Sequence, residues 1–269
     1  MSESDDRRAE ARRSVELRTD IPAIARVYDY YLGGKDNFAV DRAAAEGVLA
    51  HVPELRDYAL GNRAFLTRAV RLLARKGIRQ FLDIGTGIPT SPNVHEIAQE
   101  VDPNAQVVYV DNDPMVSMHA EALMATNAVT SLIWADLRDV DTVLYEAERL
   151  LDFGRPVAIM LVATLHHIED HDDPAGIVAR YLKAAVPGSY LVISHFTGDF
   201  NAEKAGLVAA GAKANDDVVK PRSHEEVLRL FNGHELIDPG LVQVPWWRPD
   251  TLVGPKAGRV WAYGGVAKL

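Results

Sequence analysis

The sequence predicts an α/β protein built on a doubly wound, mostly parallel sheet, preceded by a helical extension. Three observations predict it. From Arg79 to His195 short apolar runs alternate with segments of helical spacing, the pattern of strands joined by crossover helices. The runs are apolar almost throughout, as expected where helices cover both faces of a sheet. The first run ends in the turn Asp83-Ile84-Gly85-Thr86-Gly87, and the next two end in Asp111 and Asp136. Acids at the carboxyl ends of successive parallel strands share one crevice, the arrangement of a Rossmann-like nucleoside site.

The elements follow in order. Residues 1–20 are charged and poor in large apolar side chains, and read as a flexible tail. Residues 21–78 read as a helical extension. Ile21-Pro22 marks a helix start, Phe65, Leu66, Ala69, Val70, Leu72 and Leu73 recur at helical spacing, and Gly77 stops the last helix. Residues 79–269 form the nucleoside-binding domain. After the strand that carries Asp83, strands are expected at 106–111, 130–136, 156–163 and 189–195. Helices follow near 201–214 and 223–232, and a closing antiparallel pair near 241–247 and 258–265.

The crevice chemistry selects the ligand. Gly85 and Gly87 let a ligand approach the backbone. Thr90, preceded by Pro89, stands where a dinucleotide fingerprint has its third glycine. Asp83 lies inside the site, where a carboxylate repels a pyrophosphate and attracts an ammonium group. Asp111 is placed to accept bonds from both ribose hydroxyls. Asp136 can accept from an adenine amino group, while Leu137 offers its N–H to a ring nitrogen. An adenosine with an amino-acid tail, S-adenosylmethionine, satisfies all three acids. The plain alternative is that strand-end acids cap the helices that follow them, as Asp136 and Asp139 could.

The block from Asp83 to His195 resembles the class I S-adenosylmethionine-dependent methyltransferases. Its glycine motif, Asp111 and Asp136-Leu137 match their cofactor motifs. Leu165-His166-His167-Ile168 and Pro187-Gly188-Ser189 through Ser194 match the fourth- and fifth-strand motifs, with Ser189 in place of a usual glycine. The run Tyr28-Asp29-Tyr30-Tyr31-Leu32-Gly33-Gly34-Lys35-Asp36-Asn37-Phe38 is similar to one bacterial branch of S-adenosyl methyltransferases. The resemblance implies S-adenosyl-L-methionine as cofactor, S-adenosyl-L-homocysteine as product, and Asn112 and Ala163 as further cofactor contacts.

The tyrosines around Gly33-Gly34 suggest a lid. A tyrosine face such as that of Tyr28 stabilises a sulfonium cation by about 0.5–2 kcal/mol. Lys35 and Asn37 are then expected at the cofactor carboxylate or the acceptor, with Arg63 as another carboxylate partner. The opposing reading is a helical corner whose tyrosines fill core. His166 and His195 follow the fourth and fifth strands and are the candidate bases, histidine titrating near neutral pH; His167 is the weaker candidate. The acid-rich run from His166 to Asp173 could suggest a metal, but Pro174 follows directly, so these acids read as a cap and first turn and no metal is assigned.

Composition narrows the partners. The chain has 269 residues, 48% hydrophobic and 25% charged, and no cysteine, which excludes disulfides and thiolate catalysis. The net charge of −9 opposes a phosphate-tracking role. Arg12, Arg13, Arg71, Arg75, Lys76 and Arg79 read as a solvated helix face. No apolar run is long enough to span a bilayer, and residues 1–18 lack a signal core, so a cytoplasmic location is expected. The sequence reading is a methyltransferase acting on an oxygen or nitrogen of a small-molecule acceptor, without nucleic-acid or membrane partners and with no readable oligomeric state. Its alternatives are a non-catalytic S-adenosylmethionine-binding sensor or partner protein and an NAD-dependent oxidoreductase.

Overall fold

The computed structural model describes residues 18–118 and 127–269. The tail expected at 1–20 therefore lies, up to residue 17, outside the described residues, as do Arg12 and Arg13. Among the described residues seven strands form one sheet in the order β3-β2-β1-β4-β5-β7-β6. These are β1 (Gln80–Ile84), β2 (Gln106–Asp111), β3 (Thr130–Trp134), β4 (Ala158–Val162), β5 (Tyr190–Phe196), β6 (Val242–Gln243) and β7 (Ala262–Lys268). Strands β1 to β5 are parallel; β7 runs antiparallel between β5 and β6. The order reverses between β1 and β4, and the chain leaves that point in opposite directions, opening a crevice at the strands' carboxyl ends.

Both faces are covered, which explains the unbroken apolar runs. Every residue of β1, β4 and β5 is buried. Alternation along β1 sends Phe81 into the core beneath one helical layer and Leu82 and Ile84 into the other. Asp83 shares the Phe81 face and reaches the crevice from beneath.

The extension divides in two. Helix α3 (Glu54–Arg75) belongs to the sheet's own layer, burying Phe65, Leu66, Ala69, Val70 and Leu73 at helical spacing. Acids Glu54 and Asp57 in its first turn and Arg75 in its last complement the helix dipole, and Gly77 at φ +94° ends it. Helices α1 (Ile24–Leu32) and α2 (Ala39–Leu49) form a corner at its outer end. The Asp41 carboxylate is fully buried; it accepts from Arg26 Nε at 3.0 Å, from Ala23 N–H at 3.0 Å and from Phe38 N–H at 2.7 Å.

Further helices among the described residues are α4 (Val94–Gln99), α5 (Val140–Ala147), α6 (Pro174–Ala184), α7 (Ala202–Lys213) and α8 (His224–Arg229). Asp139 caps α5 by accepting from Thr142 N–H, and Asp173 caps α6 by accepting from Gly176 N–H. The closing pair differs from the sequence expectation. The strand expected at 241–247 stops at Gln243 and becomes a short 3-10 turn, Val244–Trp246, because Pro245 has no N–H for a ladder. Trp247 instead turns into the core edge-on to Phe65, ring centroids 5.2 Å apart. The last strand starts at Ala262 rather than near 258. Strand β3 likewise ends at Trp134, so Asp136 stands in the loop beyond it.

Candidate functional site

A cavity of about 490 Å³ opens along the carboxyl edge of β1, β2 and β4. Its floor is the glycine turn. Gly85 sits at φ +73°, and a Cβ there would lie 2.4 Å from Thr164 Cγ2, so only glycine lets the turn pass the β4 loop. Thr164 is itself fixed, its hydroxyl donating to Ile84 O at 3.0 Å. Gly87, at φ +68°, has open space where a side chain would stand.

Three carboxylates converge on this floor. Asp83 is 3% exposed. Burial pushes its carboxyl up to about 6; the Thr86 hydroxyl and Arg63 oppose the shift, and Asp111 adds to it. Asp111 accepts from Gly87 N–H at 2.8 Å and from Asp113 N–H at 2.9 Å. It thus ties the turn to the end of β2 and keeps further lone pairs free. Burial raises it too, to about 6, against those bonds. Asp136 is held below the usual carboxylate range, chiefly by Arg138, whose Nη2 stands 2.6 Å from it. Leu137, Asn112, Thr86 and Ala163 line the same cavity. Ala163 takes φ +57°, its N–H donating to Ser194 Oγ at 2.9 Å.

Arg63 lines the cavity from α3 and braces the turn's far side, its Nη2 donating to Thr90 O and to Pro92 O at 2.8 Å. Pro89 belongs to that braced loop and is not part of the cavity wall. The adjacent Asn62, which no sequence signal marks, is buried in the wall. It donates to the Tyr28 hydroxyl at 3.0 Å and accepts from Ser194 Oγ, joining α1, α3 and β5 through one amide.

The tyrosine corner is only partly at the site. Tyr28 lines the cavity beside Pro22, Ala23 and Ile24. Lys35 and Asn37, expected at the cofactor, do not. Asn37 is buried in the corner, donating to Asp29 Oδ2 at 2.8 Å and to Gly34 O at 3.1 Å, and Lys35 is exposed. A Cβ on Gly34 would fall 1.9 Å from Asp29 Oδ1. The double glycine, Asp29 and Asn37 therefore lock a turn, and the polar pair after it is explained by the corner.

The histidines also redistribute. His195 is fully buried. Its Nδ1 bonds Phe196 O at 2.7 Å and its Nε2 accepts from Arg222 Nη1 at 3.0 Å. Both nitrogens are engaged away from the cavity, which corrects the expectation of a base there. Arg222 is itself held by Leu165 O, Ile168 O and Asp170. His166 does not line this cavity but a smaller one beside it, and burial drives its imidazole well below its usual range. His167, ranked below it from sequence, does line the cavity. Its Nδ1 bonds Val218 O at 2.7 Å, leaving Nε2 as an acceptor, and burial lowers it to about 4. Asp217, from the segment after α7, also borders the cavity and carried no motif.

The arrangement accommodates a ligand with a cationic group, vicinal hydroxyls and a flat polar ring. It disfavours a pyrophosphate. Helix α4, the helix after the glycine turn, begins seven residues past Gly87 and is closed by its own Glu96 carboxylate, which accepts from Asn93 N–H. That acid occupies the position a phosphate takes at a helix N-terminus. Among the described residues no three histidine or acidic side chains group to hold a metal ion, and no helix is long and apolar enough to cross a membrane.

Comparison with known proteins agrees with this chemistry. A family model described as S-adenosyl methyltransferase matches residues 10–269. A DUF574 family protein from Streptomyces avermitilis MA-4680 is 42% identical in sequence, with a TM-score of 0.91 over 94% of this chain and 99% of that one. A provisionally assigned methyltransferase from Thermobifida fusca YX is also 42% identical, with a TM-score of 0.88 over 94% and 96% of the two chains. No curated protein matches the chain.

Proposed function

The chain belongs to the S-adenosyl methyltransferase family and is an S-adenosylmethionine-dependent methyltransferase; from that premise we propose that the cavity on the glycine turn holds the cofactor and presents its methyl to an oxygen or nitrogen of a small-molecule acceptor. The cofactor supplies an electrophilic methyl group on a cationic sulfur that leaves as a neutral thioether. The residues do the rest. Asp83 holds the ammonium group and Arg63 the carboxylate of the amino-acid tail. Asp111 accepts from the ribose hydroxyls, with Asn112 beside it. Asp136 and the Leu137 backbone read the adenine edge, and Tyr28 turns toward the sulfonium side. Helices α1 and α2 close the outer edge as a lid, while α3 belongs to the cofactor domain's own core.

The single observation carrying this reading is the convergence of Asp83 and Asp111 on the Gly85–Gly87 turn, with Gly87 N–H bound to Asp111. A net charge of −9 favours a small acceptor over a nucleic acid. Holding the acceptor collinear with the methyl at about 3 Å can supply roughly 7–11 kcal/mol of the acceleration.

Isothermal titration with S-adenosylmethionine and S-adenosylhomocysteine tests the reading. Asp111→Ala removes a charged acceptor and frees the glycine turn, a loss of about 1.5–3 kcal/mol, so affinity should fall ten- to a hundredfold. Undiminished binding by this variant would remove Asp111 from the site, and absence of binding by the wild type would remove the reading itself.

A further inference from the structure

A second cavity, about 100 Å³, adjoins the first. It lies beneath the α1–α2 corner, between α3, the end of β5 and α7. Pro22, Ile24, Tyr28, His167 and Asp217 border both spaces, so a molecule in the smaller one reaches the cofactor cavity across this shared wall. Its walls are chiefly apolar and aromatic, with Tyr31, Tyr58 and Phe196 among them. Tyr58 and Phe196 meet edge-on at 5.4 Å, leaving flat surfaces on which a further ring can stack.

One polar group in that wall is unaccounted for. Tyr58 is 5% exposed and its hydroxyl has no hydrogen-bond partner, although a buried hydroxyl left unpaired is costly. The neighbouring Tyr28 hydroxyl is already engaged with Asn62 and Ala59. A ligand group that pairs with Tyr58 removes this cost, and an apolar ligand does not.

We propose that this second cavity is the acceptor site, and that it takes a small planar aromatic molecule carrying the hydroxyl or amine to be methylated, recognised by stacking on Tyr31, Tyr58 and Phe196 and by a hydrogen bond to the Tyr58 hydroxyl. The proposal rests on the cofactor reading above, since the smaller cavity has a role only if the larger one presents a methyl group. In the transfer, the acceptor oxygen or nitrogen bonds to the methyl carbon. The carbon–sulfur bond breaks with its pair remaining on sulfur, and the acceptor's proton passes to the Asp217 carboxylate. Two groups border both cavities and could take that proton. Asp217 is raised to about 6 by burial and by Asp216, whereas His167 is lowered to about 4, so the carboxylate is the stronger base. A negative Asp217 at the boundary also disfavours anionic acceptors.

The test measures probe binding on protein saturated with S-adenosylhomocysteine. Phenol, 1-naphthol and aniline are compared with cyclohexanol by titration and ligand-observed NMR, for the wild type and for Tyr58→Phe. The substitution keeps the ring and removes only the hydroxyl, so folding is retained. The aromatic probes should bind more tightly than cyclohexanol and lose about three- to tenfold in Tyr58→Phe, with S-adenosylhomocysteine affinity unchanged. Equal binding of phenol and cyclohexanol, or an unchanged phenol affinity in Tyr58→Phe, would overturn the assignment. Failure of every aromatic probe to bind while S-adenosylhomocysteine binds would overturn it and leave the cofactor reading standing. Failure of S-adenosylhomocysteine itself would instead remove the cofactor reading.

Discussion

Replacing Asp83 with asparagine should make the ligand-free protein more stable and its cofactor binding weaker, two effects of opposite sign from one atom change. Moving this carboxyl from 3.8 to about 6 costs about 3 kcal/mol at neutral pH, at about 1.4 kcal/mol per pH unit. The sign follows from proton linkage. A carboxylate whose folded value is raised binds its proton more tightly when folded, so its cost is absent below about pH 4. The cost grows between pH 4 and 6 and is complete above. Asp83→Asn removes that cost but keeps the shape and can still bond Thr86. At pH 7 it should therefore gain up to about 3 kcal/mol of unfolding free energy in urea, and at pH 4 the gain should vanish. A cationic ammonium group offsets the same cost on binding, so S-adenosylmethionine affinity should fall ten- to a hundredfold in the variant, the worth of a charge-assisted bond of about 1.5–3 kcal/mol. Wild-type affinity should also weaken as pH falls through 6. Paired urea melts and titrations at pH 7 and pH 4 give the readout. A variant less stable than wild type at pH 7, or one that binds the cofactor equally well, would refute the claim that this acid is buried to meet a cation.

Two further outcomes follow from backbone geometry. Gly85→Ala forces a side chain into φ +73° and against Thr164 at 2.4 Å. It should lose at least about 1–3 kcal/mol from strain alone, read as a lower urea midpoint with a matching loss of cofactor affinity. In the corner, Asn37→Ala strips its bonds to Asp29 and Gly34 O and the one its Oδ1 accepts from Arg42, and should cost about 1–3 kcal/mol. Lys35→Ala should leave both stability and cofactor affinity within about 0.5 kcal/mol of wild type; a large affinity loss in Lys35→Ala would return that lysine to the site.

The parts of the site legible in the sequence are those whose signal is local. Asp83, Asp111 and Asp136 stand at or just beyond the end of an apolar run, and the run itself says which way the strand points and where it stops. Gly85 and Gly87 are legible for the same reason, since a glycine turn directly after a strand is a four-residue pattern. The role of His195 is not legible in the sequence because its partner is remote. Nothing near residue 195 announces that Arg222 will turn back and fill its Nε2. The role of Asn37 is not legible either, because Asp29 lies across a turn whose geometry the pair of glycines creates rather than advertises. Asn62 and Asp217 have no sequence signal, since each is a polar residue among others whose position matters only after α3 and α7 have packed against β5. The closing strand is shorter than its sequence suggests because apolar and aromatic residues at 244–247 mimic a strand, although Pro245 denies it the ladder.

That division between local and remote signals has a functional counterpart in the two cavities. The larger is built on consecutive strand ends of one sheet, so Asp83 and Asp111 are set by the sheet's register and accept only small adjustment, with Asp136 in the loop just beyond β3. The smaller takes its walls from α1, α2, α3, β5, α7 and the segment after α7, elements joined by side-chain contacts rather than by a shared ladder. Gly211 on α7 illustrates how fine that fit is: a Cβ there would come 2.7 Å from Val48 on α2, so the two helices approach as closely as they do only because residue 211 has no side chain. A single methyl group at that point would move one wall of the smaller cavity and leave the acids of the larger untouched. On the proposed assignment, acceptor choice can therefore change by substitution at α2 and α7 while the acids of the cofactor cavity stay in place, because neither Val48 nor Gly211 belongs to the wall that the two cavities share at Pro22, Ile24, Tyr28, His167 and Asp217.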